Sequence, residues 1–300
     1  MTTLPPDPQS DEQPQRRADL PRTASDQGGS GFGGTAPSQA RPHEARSWAE
    51  SFGRDAERYD RARPRYPEAL IQRIVAASPG KDVLDVGCGT GIAARQFAAA
   101  GCRVLGVDVD PRMAEVARGH GIEVEVGKFE DWDPAGRGFD AVVAAQSWHW
   151  VEADAGARQA ARVLRPGGRL ALFWNVATPA DPALADAFAE VYRAVLGDHP
   201  IFGRALRPNA GHTAFNDRAN EGVRRCGSFG EPENWEYAWD RGYTREEWLD
   251  VVPTQGGHNT LTPERLEKVL AGIAGVVDAA GGSFLMHYDV TVATAVRLAG

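Results

Sequence analysis

The sequence has few cysteines, no long apolar run and no excess of positive charge. Its three cysteines are Cys88, Cys102 and Cys226. No two of them form a CxxC motif, and an odd number cannot all pair within the chain. A disulfide framework or a zinc site is therefore not expected. No apolar run approaches the roughly 20 residues that a membrane-spanning helix needs. The net charge of −8 argues against nucleic acid as a main partner. We predict no metal, no membrane association and no nucleic-acid binding.

The N-terminal region offers little to a packed core. Residues 1–44 are rich in Pro, Gly, Ser, Gln and charged residues, and they include a glycine-rich stretch at 26–34. This composition predicts a disordered tail. The first residues also lack the apolar core of a signal peptide, which, with the cysteine pattern, predicts a cytoplasmic location. We expect residues 45–300 to form one domain. The sequence does not indicate an oligomeric state.

Strand and helix patterns alternate from residue 83 onward, which predicts an α/β fold with a doubly wound, mostly parallel sheet. The pattern loosens over 176–230, which we interpret as a helical insertion over the ligand edge of the sheet. The predicted strands are 83–86, 104–107, 122–126, 139–145, 169–174, 234–243 and 284–298, and the predicted helices are 68–75, 92–100, 111–118, 153–164, 181–196, 244–252 and 263–279.

A glycine-rich turn follows the first predicted strand. Gly87, Gly89 and Gly91 are spaced two apart, and Asp85 precedes them. A second carboxylate, Asp108, ends the next strand. Glycines let backbone N–H groups approach a ligand, and a carboxylate after the second strand can accept hydrogen bonds from a ribose diol. Asp85 suits an ammonium group better than a pyrophosphate, so a ligand with a cationic amino-acid end and a ribose satisfies both acids.

The segment Asp85-Val86-Gly87-Cys88-Gly89-Thr90-Gly91 resembles the first motif of class I S-adenosylmethionine-dependent methyltransferases. Four further segments resemble that family's motifs in the family's order, and the match covers about residues 48–175. The resemblance implies a Rossmann-like sheet of seven strands, with the antiparallel last strand inserted beside strand five. The four segments are 106–113, 127–132, 139–143 and 164–170.

The resemblance also implies S-adenosyl-L-methionine as the cofactor and assigns roles to residues. Asp85 lies near the amino group of the cofactor, the glycine loop with Cys88 surrounds its methionine part, and Asp108 binds the ribose. The remaining implied cofactor-binding residues are Val109 and Met113 beside the adenine, Phe129 and Glu130 around it, and Ala145 and Gln146 beside the methionine end. Cys88 itself reads as a small space-filling side chain, because nothing near it in sequence suggests an activated thiolate.

The acceptor side has candidates but no motif. His149 follows strand four, at the edge where parallel sheets bind ligands, and it is the candidate catalytic base because its ordinary pKa lies near neutrality. Methyl transfer needs mainly in-line positioning, so a base is not obligatory. In the family, the segment before the sheet often folds over the cofactor as a lid. The predicted substrate-binding residues are Tyr59, Arg65, Tyr66, Trp148, Trp150, Trp174 and Asn175.

Three functions stay open on the sequence alone. The leading one is a methyltransferase acting on the O, N or C atom of a small molecule by single displacement. Gly89-x-Gly91-x-x-Ala94 also fits a looser dinucleotide pattern, which keeps an NAD-dependent oxidoreductase open. The third is a non-catalytic cofactor-binding protein of the same fold. The acceptor is not readable from the sequence, because fold does not fix substrate.

Overall fold

The computed structural model describes residues 50–197, 212–258 and 261–299. The predicted disordered tail, 1–44, and part of the predicted insertion lie outside these residues. No helix among the described residues is long and apolar enough to cross a membrane. The same residues contain no group of three or more His, Cys, Asp or Glu side chains arranged to hold a metal ion.

Seven strands form one sheet in the order β3-β2-β1-β4-β5-β7-β6. Strands β1 to β5 are parallel, and β7 lies antiparallel between β5 and β6. The predicted fold class and the position of the last strand beside strand five are therefore confirmed. The strands are β1 Asp82–Val86, β2 Arg103–Asp108, β3 Glu123–Val126, β4 Phe139–Ala145, β5 Leu164–Pro179, β6 Glu233–Thr244 and β7 Ser283–Val296.

The described residues contain nine α-helices, and side-chain caps start several of them. The Asp110 carboxylate accepts from the Arg112 N–H, and Thr244 with Glu247 forms a capping box. The helices are α1 Ala56–Ala62, α2 Glu68–Ala76, α3 Ile92–Ala99, α4 Pro111–Gly119, α5 Ala153–Val163, α6 Pro182–Leu196, α7 His212–Cys226, α8 Arg245–Val251 and α9 Pro263–Ala279.

Two helices and one strand differ from the sequence-based expectation. Helix α7 lies in a region that we expected to be irregular, and α1 precedes the sheet where no helix was predicted. Strand β5 begins five residues earlier and ends five residues later than predicted, because it pairs with β7 over its whole second half. The Gly167-Gly168 turn is absorbed into β5 as a register shift against β4.

Helices cover both faces of the sheet. On one face, Phe173 of β5 and Val143 of β4 pack with Leu70, Ile71 and Phe97 from α2 and α3. On the other face, Leu172 and Trp174 pack with residues of α5 and α7, among them Ala160 and Val223. Successive strand residues point to opposite faces, so Phe173 and Trp174 lie in different cores. This division decides which predicted site residues can meet.

A third apolar cluster lies where β5, β6 and β7 extend together. Helices α6, α8 and α9 contribute Phe188, Trp248 and Ile273, and the strands contribute Tyr243 and Tyr288. The first helix of the predicted insertion, α6, thus packs in this cluster, whereas the second, α7, packs against α5. The two ends of the insertion lie in different parts of the fold.

Candidate functional site

The glycine turn between β1 and α3 needs glycine at all three positions. Gly87, Gly89 and Gly91 have φ angles of 64°, 55° and 83°, in the left-handed region that L side chains rarely adopt. A Cβ on Gly87 would lie 2.5 Å from the Cβ of Ser147. The turn therefore holds a tight path between the ends of β1 and β4, which Ser147 reinforces by donating to the Val86 carbonyl at 2.5 Å.

The backbone N–H groups of this turn are directed into the protein. Those of Gly87 and Cys88 donate to the Val107 carbonyl at 2.7 and 3.3 Å, and that of Gly91 donates to the Cys88 carbonyl. The Gly89 N–H donates to Asp108 Oδ2 at 2.7 Å. These four groups are the donors that a pyrophosphate-binding turn would present to its ligand. Their internal use disfavours the dinucleotide interpretation.

Asp85 is a buried carboxylate without a hydrogen-bond partner. Its side chain is 0% exposed, and neither oxygen has a partner among the described residues. Burial, with the negative charge of Asp108, raises the pKa of Asp85 to about 8. The nearby Ala94 N–H acts to lower the pKa of Asp85, but it is not positioned to form a hydrogen bond with either oxygen. Such a group is costly unless a cation binds it, which fits the ammonium group of an amino-acid ligand.

Asp108 joins the turn to the end of β2. One oxygen accepts from the Gly89 N–H, and the other accepts from the Asp110 N–H at 2.9 Å. Burial raises the pKa of Asp108, and these backbone hydrogen bonds oppose the rise. A carboxylate has about four lone-pair sites, so two acceptor directions remain for a ribose diol.

The other predicted cofactor residues divide by side-chain direction. Met113 is buried, and its Cε lies 3.4 Å from where a Cβ on Gly89 would be, so it lines the turn. Val109 follows β2 and is half-buried. Cys88 points away, since its Sγ would lie 2.5 Å from a Cβ on Gly106. Burial raises the pKa of the Cys88 thiol, which therefore fills space and is not a nucleophile.

The predicted adenine loop forms a short 3₁₀ turn, Phe129–Asp131. The Phe129 ring is buried and lies 6.1 Å from the ring of Trp148. Glu130 accepts from the Glu152 N–H at 3.0 Å, which ties this loop to the start of α5. Both side chains and Trp148 are thus used in packing or hydrogen bonding within the protein. The predicted contact of this loop with an adenine stays a prediction.

A network of amide side chains links β4, β5 and the segment before the sheet. Gln146 has a φ of 58°, unusual for a residue other than glycine, and donates to the Asn175 carbonyl at 2.7 Å. Asn175 donates to the Arg65 carbonyl at 3.1 Å. Tyr66 exchanges two backbone hydrogen bonds with Gln96, at 3.0 and 2.8 Å. Half-buried Ala145 lies on the same face of the sheet as the Tyr66 ring.

His149 lies toward the opposite face. Its Nδ1 accepts from the indole N–H of Trp174 at 3.3 Å, which places any proton of the neutral ring on Nε2. The ring stacks on Phe215 of α7 and contacts Trp150, both at 4.8 Å. The structure thus brings together His149, Trp150 and Trp174, apart from Tyr66 and Asn175. A catalytic role for His149 stays a prediction.

The segment before the sheet is held against α3 and α8 by ion pairs. Asp60 of α1 binds Arg95 of α3 through two hydrogen bonds, at 2.7 and 3.1 Å. Arg61 binds Asp250 of α8. A Cβ on Gly53 would lie 2.1 Å from Asp110, so the turn before α1 packs directly on the start of α4. This segment has the position of the predicted lid.

Arg63 is the residue of this segment that sequence reasoning missed. The side chain of the predicted Arg65 is exposed, and that residue contributes its backbone carbonyl. Arg63 is half-buried, and its guanidinium carbon lies 5.4 Å from the ring centroid of Tyr59. Pro64 was the available signal, because a residue before proline favours extended backbone and ends helix α1 here.

The fold agrees with the arrangement that the resemblance to class I methyltransferases implied: a seven-stranded sheet with β7 inserted, a glycine turn after β1, and acids at β1 and β2. The chain matches a solved structure of a proposed type II methyltransferase from Anaeromyxobacter dehalogenans at 24% identity and a TM-score of 0.57, covering 79% of this chain and 99% of that one. This likeness shows the fold.

Sequence comparison finds related proteins over part of the chain. Residues 83–168 match the family model described as a methyltransferase domain. An uncharacterized methyltransferase of Mycobacterium tuberculosis is 39% identical over 132 residues, 43% of this chain and 54% of the relative. A ubiquinone biosynthesis O-methyltransferase of Xanthomonas oryzae is 40% identical over 119 residues, 37% of this chain and 50% of the relative. The chain spans about half the length of these relatives.

Proposed function

We propose that the protein is an S-adenosylmethionine-dependent methyltransferase that acts on a small-molecule acceptor by single displacement. The observation that carries this proposal is Asp85, a fully buried carboxylate with no partner, at the end of β1 beside the glycine turn. The family of residues 83–168 supports the same reaction class. When bound, S-adenosylmethionine supplies an electrophilic methyl group on a sulfonium.

The chain's own residues fit that cofactor. Asp85 accepts hydrogen bonds from its ammonium group, and Asp108 accepts from its ribose. The positive-φ glycines let the turn pack closely against Ser147, Met113 and Ala117, where a Cβ would meet these side chains. Met113 and the backbone after β3 lie where an adenine is expected. Gln146, which is held in a strained conformation by Asn175, lies beside the methionine end.

Catalysis then rests on positioning and on exclusion of water. The ion-paired segment before the sheet covers the site and holds Tyr66 beside Phe173, at 4.9 Å between ring centroids. Holding two reactants in line raises the reaction rate by many orders of magnitude. Methyl transfer therefore does not need a strong base. The small-molecule acceptor is supported by the negative net charge, which disfavours nucleic acid.

Titration calorimetry tests the cofactor assignment. We expect the wild type to bind S-adenosylmethionine and S-adenosylhomocysteine, and Asp85→Asn to bind both more weakly by at least about 10-fold, the scale of a lost charged hydrogen bond. S-adenosylhomocysteine should bind about 10-fold more weakly at pH 6 than at pH 7, because Asp85 must lose its proton before it can pair with the ammonium group. Asp85→Asn should lack this pH effect.

Matched controls separate the alternatives. Asp278→Asn removes the same charge from an exposed side chain of α9 and should leave cofactor affinity unchanged. NAD binding without S-adenosylmethionine binding would contradict the proposal and favour an oxidoreductase. Cofactor binding with no methyl transfer to a broad panel of acceptors would instead favour a non-catalytic binding protein.

A further inference from the structure

Arg63 is a cation without an acidic partner in a segment where other arginines have one. On helix α1 itself, Arg58 and Arg61 pair with Asp250, and Arg95 of α3 pairs with Asp60. No carboxylate of the described residues pairs with Arg63. The contact of its guanidinium is with the ring of Tyr59, at 5.4 Å.

Tyr59 contacts this guanidinium, and Tyr66 follows three residues after Arg63. Tyr243 and Tyr288 pack in one apolar cluster with Ala62, which precedes Arg63. These four tyrosines are here called the tyrosine cluster. The hydroxyls of Tyr243 and Tyr288 are 2.6 Å apart, and Trp239 stacks on Tyr288 at 4.5 Å. A guanidinium keeps its charge in proteins, so Arg63 is a permanent cation beside these aromatic side chains.

The tyrosine cluster adjoins the candidate cofactor site. Tyr66 forms two hydrogen bonds with Gln96 of α3, and its ring lies 4.9 Å from that of Phe173 in β5. Trp239 donates to Asn175 at 3.4 Å, and Asn175 binds the Arg65 carbonyl. Arg63 thus lies in a segment that packs on the helix after the glycine turn and on the end of β5.

An unpaired, partly desolvated charge destabilises a folded protein unless a ligand pairs with it. An arginine fork matches a carboxylate through two parallel hydrogen bonds, and aromatic side chains favour a flat ligand. We propose that Arg63 binds the carboxylate of a planar, otherwise apolar acceptor molecule between Tyr59, Tyr66 and Trp239. This inference rests on the proposed methyltransferase function and names the chemical class of its acceptor.

The test compares benzoate with benzamide, its neutral isostere, by titration calorimetry on the full chain saturated with S-adenosylhomocysteine. We expect the wild type to prefer benzoate and Arg63→Gln to lose at least about 10-fold in benzoate affinity, with benzamide unaffected. Arg63→Lys should retain part of the preference, because it keeps the charge and loses the fork. Arg162→Gln, the same charge change on the exposed side of α5, should behave as wild type.

Two further measurements keep the outcomes distinct. Unchanged S-adenosylhomocysteine affinity in Arg63→Gln shows that the variant is folded. Equal binding of benzoate and benzamide by the wild type, or a benzoate preference that persists in Arg63→Gln, overturns the inference. If S-adenosylhomocysteine does not bind the wild type, the proposed function fails, and the benzoate titration repeated without it still decides the role of Arg63.

Discussion

Individual residues at this site lower the stability of the ligand-free fold. Asp85 is fully buried, has no hydrogen-bond partner and faces a second carboxylate, Asp108, which adds to its raised pKa. An unpaired acid in such a place lowers stability and is retained only where a ligand supplies the missing charge. The same logic applies to Arg63, whose missing partner is an anion.

Asp85 should make the ligand-free protein less stable as pH rises. Its folded-state pKa of about 8 lies above the unfolded value near 4, so the folded state holds the proton longer and stability falls between those pH values. We expect Asp85→Asn to remove a slope of about 1.4 kcal/mol per pH unit from the free energy of unfolding. Urea titrations at pH 6 and pH 7 measure it. A wild-type slope unchanged by the substitution would contradict the assigned pKa.

His149 should act through packing more than through proton transfer. Its Nδ1 already accepts from Trp174, and its ring stacks on Phe215. We expect His149→Gln to lower stability by about 1 kcal/mol through the lost stacking while leaving the shape of the pH–rate profile unchanged. Initial rates of methyl transfer from pH 5.5 to 9, measured with an acceptor that the wild type methylates, test this expectation. Loss of an inflection that the wild-type profile shows would establish His149 as the base.

At the scale of elements, the sequence predicted best where local signals agreed with burial. The starts of α4, α6 and α9 follow directly from Asp110, Asp181 and Thr262 as caps with proline next. Helix α7 was not predicted, because its apolar stripe is narrow and contains Gly222, which lowers helix propensity. Tertiary packing on α5 compensates for that weak propensity, and no local pattern records it.

Close packing on α5 explains why α7 contains Gly222, although glycine is a poor helix former. A Cβ at this position would lie 2.8 Å from the Ala153 carbonyl of α5. We expect Gly222→Ala to destabilise the protein by about 1–3 kcal/mol through overpacking, despite the gain in propensity. Gly275→Ala is the control: it lies inside α9 with open space around it and should stabilise by about 0.5–1 kcal/mol. Thermal unfolding of both variants tests the pair, and a stabilising Gly222→Ala would refute the close helix contact.

At the scale of the whole molecule, the cluster of α6, α8 and α9 depends on a neutral buried histidine. His258 is 3% exposed and forms a 2.8 Å hydrogen bond with the Tyr192 hydroxyl of α6. Burial lowers the pKa of His258 to about 4, against smaller opposing effects of the backbone at Gln255 and Gly256. Acid should therefore loosen this part of the molecule.

The sign follows from linkage. The unfolded chain takes up the proton of His258 near pH 6.5 and the folded chain only near pH 4, so stability is complete above pH 6.5 and is lost as pH falls toward 4. We expect a loss of about 3 kcal/mol over this range that His258→Gln removes. His287→Gln, at an exposed histidine whose pKa Asp240 raises, should not remove it. Denaturant titrations at pH 4.5, 5.5 and 6.5 measure the difference.

The alternation of strands and helices, the glycine turn and the two acids can be read from the sequence, because each depends on neighbours within about 25 residues. Which side chains meet depends on how the strands assemble into the sheet. Strand pleating separates Phe173 from Trp174, so it assigns Asn175 and Tyr66 to one face and His149 to the other. Contacts between residues more than 100 positions apart, such as Arg61 with Asp250 and Arg65 with Asn175, leave no periodic trace in the chain. They arise from strand order, and strand order is fixed only when the whole sheet forms.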